Sequence, residues 1–134
     1  MTGQSPAKDR VRVLVADDER VIADTLAIIL RQNGYEVTAV YDGVEAVETA
    51  RAWRPDLFLG DVVMPNMDGI QAAIRILAID PKCRILLLSG QAATTDLLHD
   101  ARRQGHEFEI MLKPIYPSQL LARLQQGIEP VARP

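Results

Sequence analysis

Five short runs rich in β-branched residues and leucine punctuate the chain: Val11–Ala16, Glu36–Val40, Asp56–Gly60, Arg84–Ser89 and Phe108–Leu112. Longer amphipathic stretches separate them, and this alternation is the mark of βαβ units built around a parallel sheet. Four of the five runs are almost wholly apolar at their centres, as strands covered by helices on both faces must be. The second is less apolar, which suits a sheet edge.

Between the runs, Val21, Ile22, Leu26, Ile29 and Leu30 recur at helical spacing and Gly34 follows as a glycine cap, which predicts a helix over 19–33. Val44, Val47 and Trp53 mark a second helix ending before Pro55, with Trp53 at its far end. A third spans Ile70–Ile79, opened by Asp68 as N-cap and stopped by Pro81. A fourth runs from Thr94 or Thr95 to Arg103 and is closed by Gly105; a fifth is opened by Pro117 and Ser118 and continues to Gln126. With 134 residues, one domain over 10–126 is expected, flanked by a disordered polar segment at 1–9 and a Pro-rich tail at 127–134.

Fifteen Lys and Arg against 18 Asp and Glu give a net charge of −3, which disfavours direct nucleic-acid binding, since phosphate neutralisation needs a clustered basic face. No apolar run approaches the roughly 18 residues of a membrane span. The polar N-terminus lacks the apolar stretch of a signal peptide, so a cytoplasmic location is expected. The single cysteine, Cys83, has neither a disulfide partner nor a neighbour at metal-ligand spacing, and reads as small core filler.

In an open parallel sheet, ligands bind beyond the carboxyl ends of the strands. Asp17-Asp18-Glu19, Asp61, Ser89-Gly90 and Lys113-Pro114 stand there. Each alone has an ordinary reading: Asp17 or Asp18 as a helix N-cap, Ser89 as a turn residue, Lys113 as a solvated loop charge. Asp61 is harder to dismiss, because it follows the apolar Leu57-Phe58-Leu59 and would be half desolvated without a partner. Together the carboxylates suit a divalent metal such as Mg²⁺, which takes one or two of them and leaves other positions to water and phosphate oxygens. With Lys113 and Ser89 available to hold oxygens of a transferring group, the implied chemistry is phosphoryl transfer onto Asp61.

The acidic pair Asp17-Asp18, the segment Asp61-Val-Val-Met-Pro-Asn-Met-Asp-Gly69, Ser89-Gly90 and Lys113-Pro114, in this order and spacing, resemble the CheY-like receiver domain of two-component response regulators over about residues 10–126. The resemblance implies an α/β, flavodoxin-like (βα)5 fold: a doubly wound five-stranded parallel sheet of order 2-1-3-4-5, with two helices on one face and three on the other. It implies that Asp61 is the phosphoacceptor, that Asp17, Asp18 and Asp61 with the backbone carbonyl of Val63 hold Mg²⁺, that Ser89 is the switch hydroxyl, and that Lys113 pairs with the phosphoryl group. It further implies a phosphohistidine donor on a sensor histidine kinase or phosphotransfer protein, an output face of helix four, strand five and helix five, and a cis peptide at Lys113-Pro114. Such a domain is no enzyme in the ordinary sense, since it catalyses only its own phosphorylation and dephosphorylation. Val63 and Gln91 fall where receivers gate the water that hydrolyses the acyl phosphate.

Two positions depart from the family pattern. Gly60 replaces the usual bulky apolar residue before the acceptor, which weakens the strand and leaves room beside Asp61. Ile110 stands three residues before the lysine, where the family carries its switch aromatic. Phe108 could serve instead if an extra residue before Lys113 forms a bulge that re-aims the side chains.

Other classes fit less well. An aspartate-nucleophile phosphatase needs a carboxylate two residues after the acceptor, where Val63 stands. A nucleotide-binding module of this topology needs a glycine or hydroxyl loop after the first strand, where Asp17-Asp18-Glu19 would repel a phosphate. A degenerate receiver, acting as a phosphorylation-independent interaction module, would have lost members of a set that is here intact. The few residues after the last helix leave no space for an effector, so a stand-alone receiver or a fragment of a longer regulator is expected.

Overall fold

The computed structural model describes residues 10–90 and 94–126. The expected terminal segments 1–9 and 127–134, and Gln91, lie outside the described residues. Strands β1 (Arg12–Ala16), β2 (Glu36–Val40), β3 (Leu57–Asp61), β4 (Arg84–Ser89) and β5 (Glu109–Leu112) alternate with helices α1 (Arg20–Gln32), α2 (Gly43–Trp53), α3 (Gly69–Ile79), α4 (Thr94–Arg103) and α5 (Pro117–Leu124). The strands pair in parallel in the order β2-β1-β3-β4-β5, as expected, and the less apolar β2 is indeed at an edge.

Because successive strand residues face opposite ways, the sheet divides its apolar residues between two cores. Leu14, Ala16, Phe58, Ile85 and Leu87 pack with Ala46, Val47 and Ala50 of α2, Ile70 and Ile76 of α3 and Ala101 of α4. Val13, Val15, Leu57, Leu59, Leu86 and Leu88 pack with Leu26 and Leu30 of α1 and Leu120 and Leu124 of α5. Two helices therefore cover one face and three the other. Cys83 is buried in the first core, and burial pushes its thiol up to about 12, so it is core filler without nucleophilic character. Among the described residues, no helix is long and apolar enough to cross a membrane.

Local signals set the helix ends. Asp42 and Asp68 cap α2 and α3, their Oδ1 atoms accepting from the amides of Glu45 and Gln71 at 2.8 Å. Gly34 and Gly105, both at φ +94°, take the left-handed conformation that turns the chain out of α1 and α4. At the end of the sheet away from the acidic residues, Arg84 grips Glu109 with two hydrogen bonds of 3.0 Å while Arg123 reaches the same carboxylate at 3.1 Å, tying β4, β5 and α5 together.

Several expectations change in detail. The N-cap of α1 is Glu19, whose side chain makes no cap hydrogen bond, so neither Asp17 nor Asp18 caps that helix. Strand β3 lies one residue later than expected, because Asp61 continues the ladder opposite Leu88 in spite of its charge. Helix α5 ends at Leu124 rather than Gln126. Strand β5 begins at Glu109 and pairs without interruption from Leu86↔Glu109 to Ser89↔Leu112, so no bulge re-aims Phe108, which stacks on His106 ahead of the strand. Gly60 leaves no room beside Asp61: a Cβ there would fall 2.4 Å from Cζ of Phe58, whose fully buried ring already fills the space.

Candidate functional site

The parallel order brings the carboxyl ends of β1, β3, β4 and β5 to one edge, and each delivers a polar residue there. Asp17 and Asp18 follow β1, Asp61 ends β3, Ser89 ends β4 and Lys113 follows β5. Carboxylate oxygens of Asp17, Asp18 and Asp61 lie within 4.8 Å of one another. Asp17 has no exposed surface and Asp61 and Ser89 are buried, whereas Asp18 is exposed at the mouth.

Lys113 Nζ donates to Asp61 Oδ2 at 2.9 Å and to Asp17 Oδ2 at 3.4 Å. The other oxygens are met by backbone: Asp17 Oδ1 accepts from the Glu19 amide at 2.9 Å and Asp61 Oδ1 from the Val63 amide at 3.3 Å. The Lys113 amide donates to the Ser89 carbonyl at 2.9 Å, which ties its backbone to the end of β4, and the Lys113-Pro114 peptide is cis, as expected. The aliphatic stem of Lys113 runs over Gly90, within van der Waals distance of where a Cβ would sit.

The electrostatics are unbalanced. Burial is the largest influence on Asp17 and, with the charge of Asp61, raises its pKa from the ordinary 3.8 against the lowering effects of the Glu19 amide and Lys113. Burial alone would lower the Lys113 pKa, but hydrogen bonding and attraction to Asp61, aided by Asp17, leave it raised above 10.5. Three carboxylates thus face one ammonium. A buried carboxylate that remains incompletely neutralised fits a small divalent cation, which would bind the all-oxygen donor set of Asp17, Asp18 and Asp61.

Two glycines that sequence reasoning left unassigned hold the loops together. A Cβ on Gly69 would meet the Asp61 carbonyl oxygen at 2.2 Å, and one on Gly43 would meet the Met67 carbonyl oxygen at 2.1 Å. Only glycine lets the starts of α3 and α2 press against the β3–α3 loop. The available signal was the pair of Asp-Gly steps at 42–43 and 68–69. Val63, in that loop, is about half exposed.

The sheet order, the acidic mouth and the lysine opposite the strand-end aspartate define a receiver. The family model of the response regulator receiver domain matches residues 13–125, and the chain belongs to this family. Among its relatives, the DNA-binding response regulator MtrA of Mycolicibacterium paratuberculosis is 34% identical over 116 residues, which cover 87% of this chain and 50% of that protein. The probable transcriptional regulatory protein TcrX of Mycobacterium tuberculosis is 32% identical over 115 residues, 86% of this chain and 48% of the relative. The chain therefore spans about half the length of the curated relatives it matches. The chemotaxis response regulator CheY4 of Vibrio cholerae superposes with a TM-score of 0.74 at 30% identity, covering 87% of this chain and 98% of that one. The receiver domain of a Pseudomonas aeruginosa sensor histidine kinase, solved with a magnesium ion coordinated in its active site cleft, gives a TM-score of 0.74 at 29% identity, with 87% and 96% covered. Receivers are signalling domains, and response regulators take their phosphoryl groups from histidine kinases.

Proposed function

We propose that this chain is a phosphoacceptor of a two-component system, in which Asp61 takes a phosphoryl group from a phosphohistidine on a sensor histidine kinase or phosphotransfer protein in the cytoplasm. The observation that carries the proposal is the approach of Lys113 Nζ to 2.9 Å from Asp61 Oδ2 at a mouth shared with Asp17 and Asp18. An Asp61 oxygen attacks phosphorus, the O–P bond forms as the N–P bond to the donor imidazole breaks, and the departing electron pair stays on the imidazole nitrogen. Asp17, Asp18, Asp61 and the Val63 carbonyl would hold Mg²⁺, which when bound offsets the negative charge that gathers on the phosphoryl oxygens. Lys113 then pairs with a phosphoryl oxygen in place of the Asp61 carboxylate. Ser89 supplies the hydroxyl that draws toward the phosphoryl group and couples the site to α4, β5 and α5.

The receiver unit is residues 10–126, and its signal passes on by protein contact through that face rather than by direct binding of this domain to nucleic acid. Full retention of the site residues favours phosphorylation over a degenerate receiver. Incubation with a small phosphodonor, with and without Mg²⁺, tests the proposal. The wild type is expected to be labelled only with Mg²⁺, and Asp18→Ala to lose both metal binding and labelling. Equal labelling without Mg²⁺, or undiminished labelling of Asp18→Ala, contradicts it.

A further inference from the structure

The exposed Asp18 sits on the three-residue link, Asp17 to Glu19, between β1 and α1, so its position depends on how firmly that link is held. One side is secured by Asp17, whose amide donates to the Val40 carbonyl at 3.2 Å and whose Oδ1 accepts from the Glu19 amide. The other side is secured by Tyr41, just beyond the end of β2. Its hydroxyl donates to Asp24 Oδ1 at 2.7 Å, and the guanidinium of Arg20 lies over its ring at 4.0 Å. Arg20 and Asp24 are four residues apart in the first turns of α1 and share one face, so a single aromatic ring from the turn after β2 grips the start of the helix at two points.

Tyr41 is itself fixed from behind. Its amide donates to Glu45 Oε1 at 2.8 Å, while the Glu45 amide donates to the N-cap Asp42 Oδ1 at 2.8 Å, so two side-chain bonds hold the 41–45 turn. The next residue, Gly43, abuts the Met67 carbonyl of the β3–α3 loop. The turn after β2 therefore braces both acid-bearing loops, although it contributes no ligand.

We propose that Tyr41 is a positioning residue for the divalent cation, setting the place of Asp18 through its grip on Arg20 and Asp24. The inference rests on the phosphoacceptor reading above. Residues that hold metal ligands in place typically govern affinity by 10-fold to 100-fold. Without the ring, the link between β1 and α1 loosens and Asp18 must be ordered at the moment of binding. The effect falls on metal affinity and not on the transfer step once the metal is bound.

The test is calorimetric titration of the full chain with Mg²⁺, paired with unfolding midpoints and amide exchange in its absence. Tyr41→Ala is expected to weaken Mg²⁺ about 10-fold, with Tyr41→Phe and Asp24→Ala intermediate. Saturating Mg²⁺ should restore the wild-type rate of Asp61 labelling, and the Ile22 and Ala23 amides, which donate to the Glu19 carbonyl, should exchange faster in the metal-free variants. Asp24→Ala keeps the test decisive if Tyr41→Ala fails to fold, since Asp24 is exposed. Wild-type Mg²⁺ affinity in Tyr41→Phe and Asp24→Ala overturns the positioning role while leaving the phosphoacceptor reading intact. A wild type that takes up no Mg²⁺ overturns both.

Discussion

Asp17 is a carboxyl with no exposed surface, facing Asp61 and Lys113. Because its pKa is raised by folding, chiefly through burial, the fold is favoured most below the ordinary value of 3.8, where folded and unfolded states both hold the proton. That advantage is lost as pH rises through the folded value, so ionised Asp17 weighs against folding at neutral pH until a cation arrives. Asp17→Asn should accordingly raise the metal-free melting temperature at pH 7, and it should remove most of any stabilisation that added Mg²⁺ gives the wild type. Thermal unfolding with and without Mg²⁺ checks this, and a variant less stable than the wild type without metal contradicts it. The chemical identity of this residue was legible in the sequence from its place after a buried strand. Its role at the helix start was not, because whether a strand-end aspartate caps the next helix or turns inward depends on a backbone twist that residue spacing does not encode.

At the scale of elements, hydrophobic period and Gly, Pro and Asp punctuation located every strand and helix, with shifts of one or two residues at some ends. The shift at β3 has a physical cause: Asp61 stays in the ladder because its carboxylate is met by Lys113 and the Val63 amide. Gly60 shows the limit of such reading. Period two puts residues 58 and 60 on one face, yet only the structure shows the Phe58 ring lying along the strand into the glycine's space. The two positions should therefore be coupled. Gly60→Val is expected to destabilise the domain by about 2 kcal/mol through overpacking, and Phe58→Ala by roughly 3 to 5 kcal/mol through the cavity it leaves. The double substitution should recover about 1 to 3 kcal/mol of the sum, because each change relieves the other. Denaturant titration of the four proteins measures this, and simple additivity would show that the ring does not occupy that space. The Tyr41 clamp was likewise beyond sequence reading, since its partners Arg20 and Asp24 lie on α1 and Glu45 on α2, and only topology brings α1 against the turn after β2.

For the whole molecule, what matters is how an event at Asp61 reaches a surface. Helix α4 is poorly anchored: over residues 95–103 only Ala101 is buried. Elements with so little buried apolar area are drawn from the low-stability end of a fold and are the readiest to move. Ser89, at the end of β4, precedes this helix in sequence and pairs with Leu112 of β5, so the displacement proposed for it would act on both. Ile110, stiff and β-branched, cannot copy the swing of an aromatic side chain, while Phe108 lies against the same core with its ring on His106. Beryllofluoride is therefore expected to change amide protection across 95–109, more at Phe108 than at Ile110; changes confined to the loops around Asp61 would mean that phosphate is accepted without being transmitted. All of this presupposes one chemical event, and it can be observed directly. After incubation with acetyl phosphate and Mg²⁺, mass mapping of the intact chain and its peptides should find a single phosphoryl group on Asp61 and none on Asp61→Asn, whereas a phosphoryl group at any other residue, or continued labelling of Asp61→Asn, would contradict phosphoryl transfer at this site.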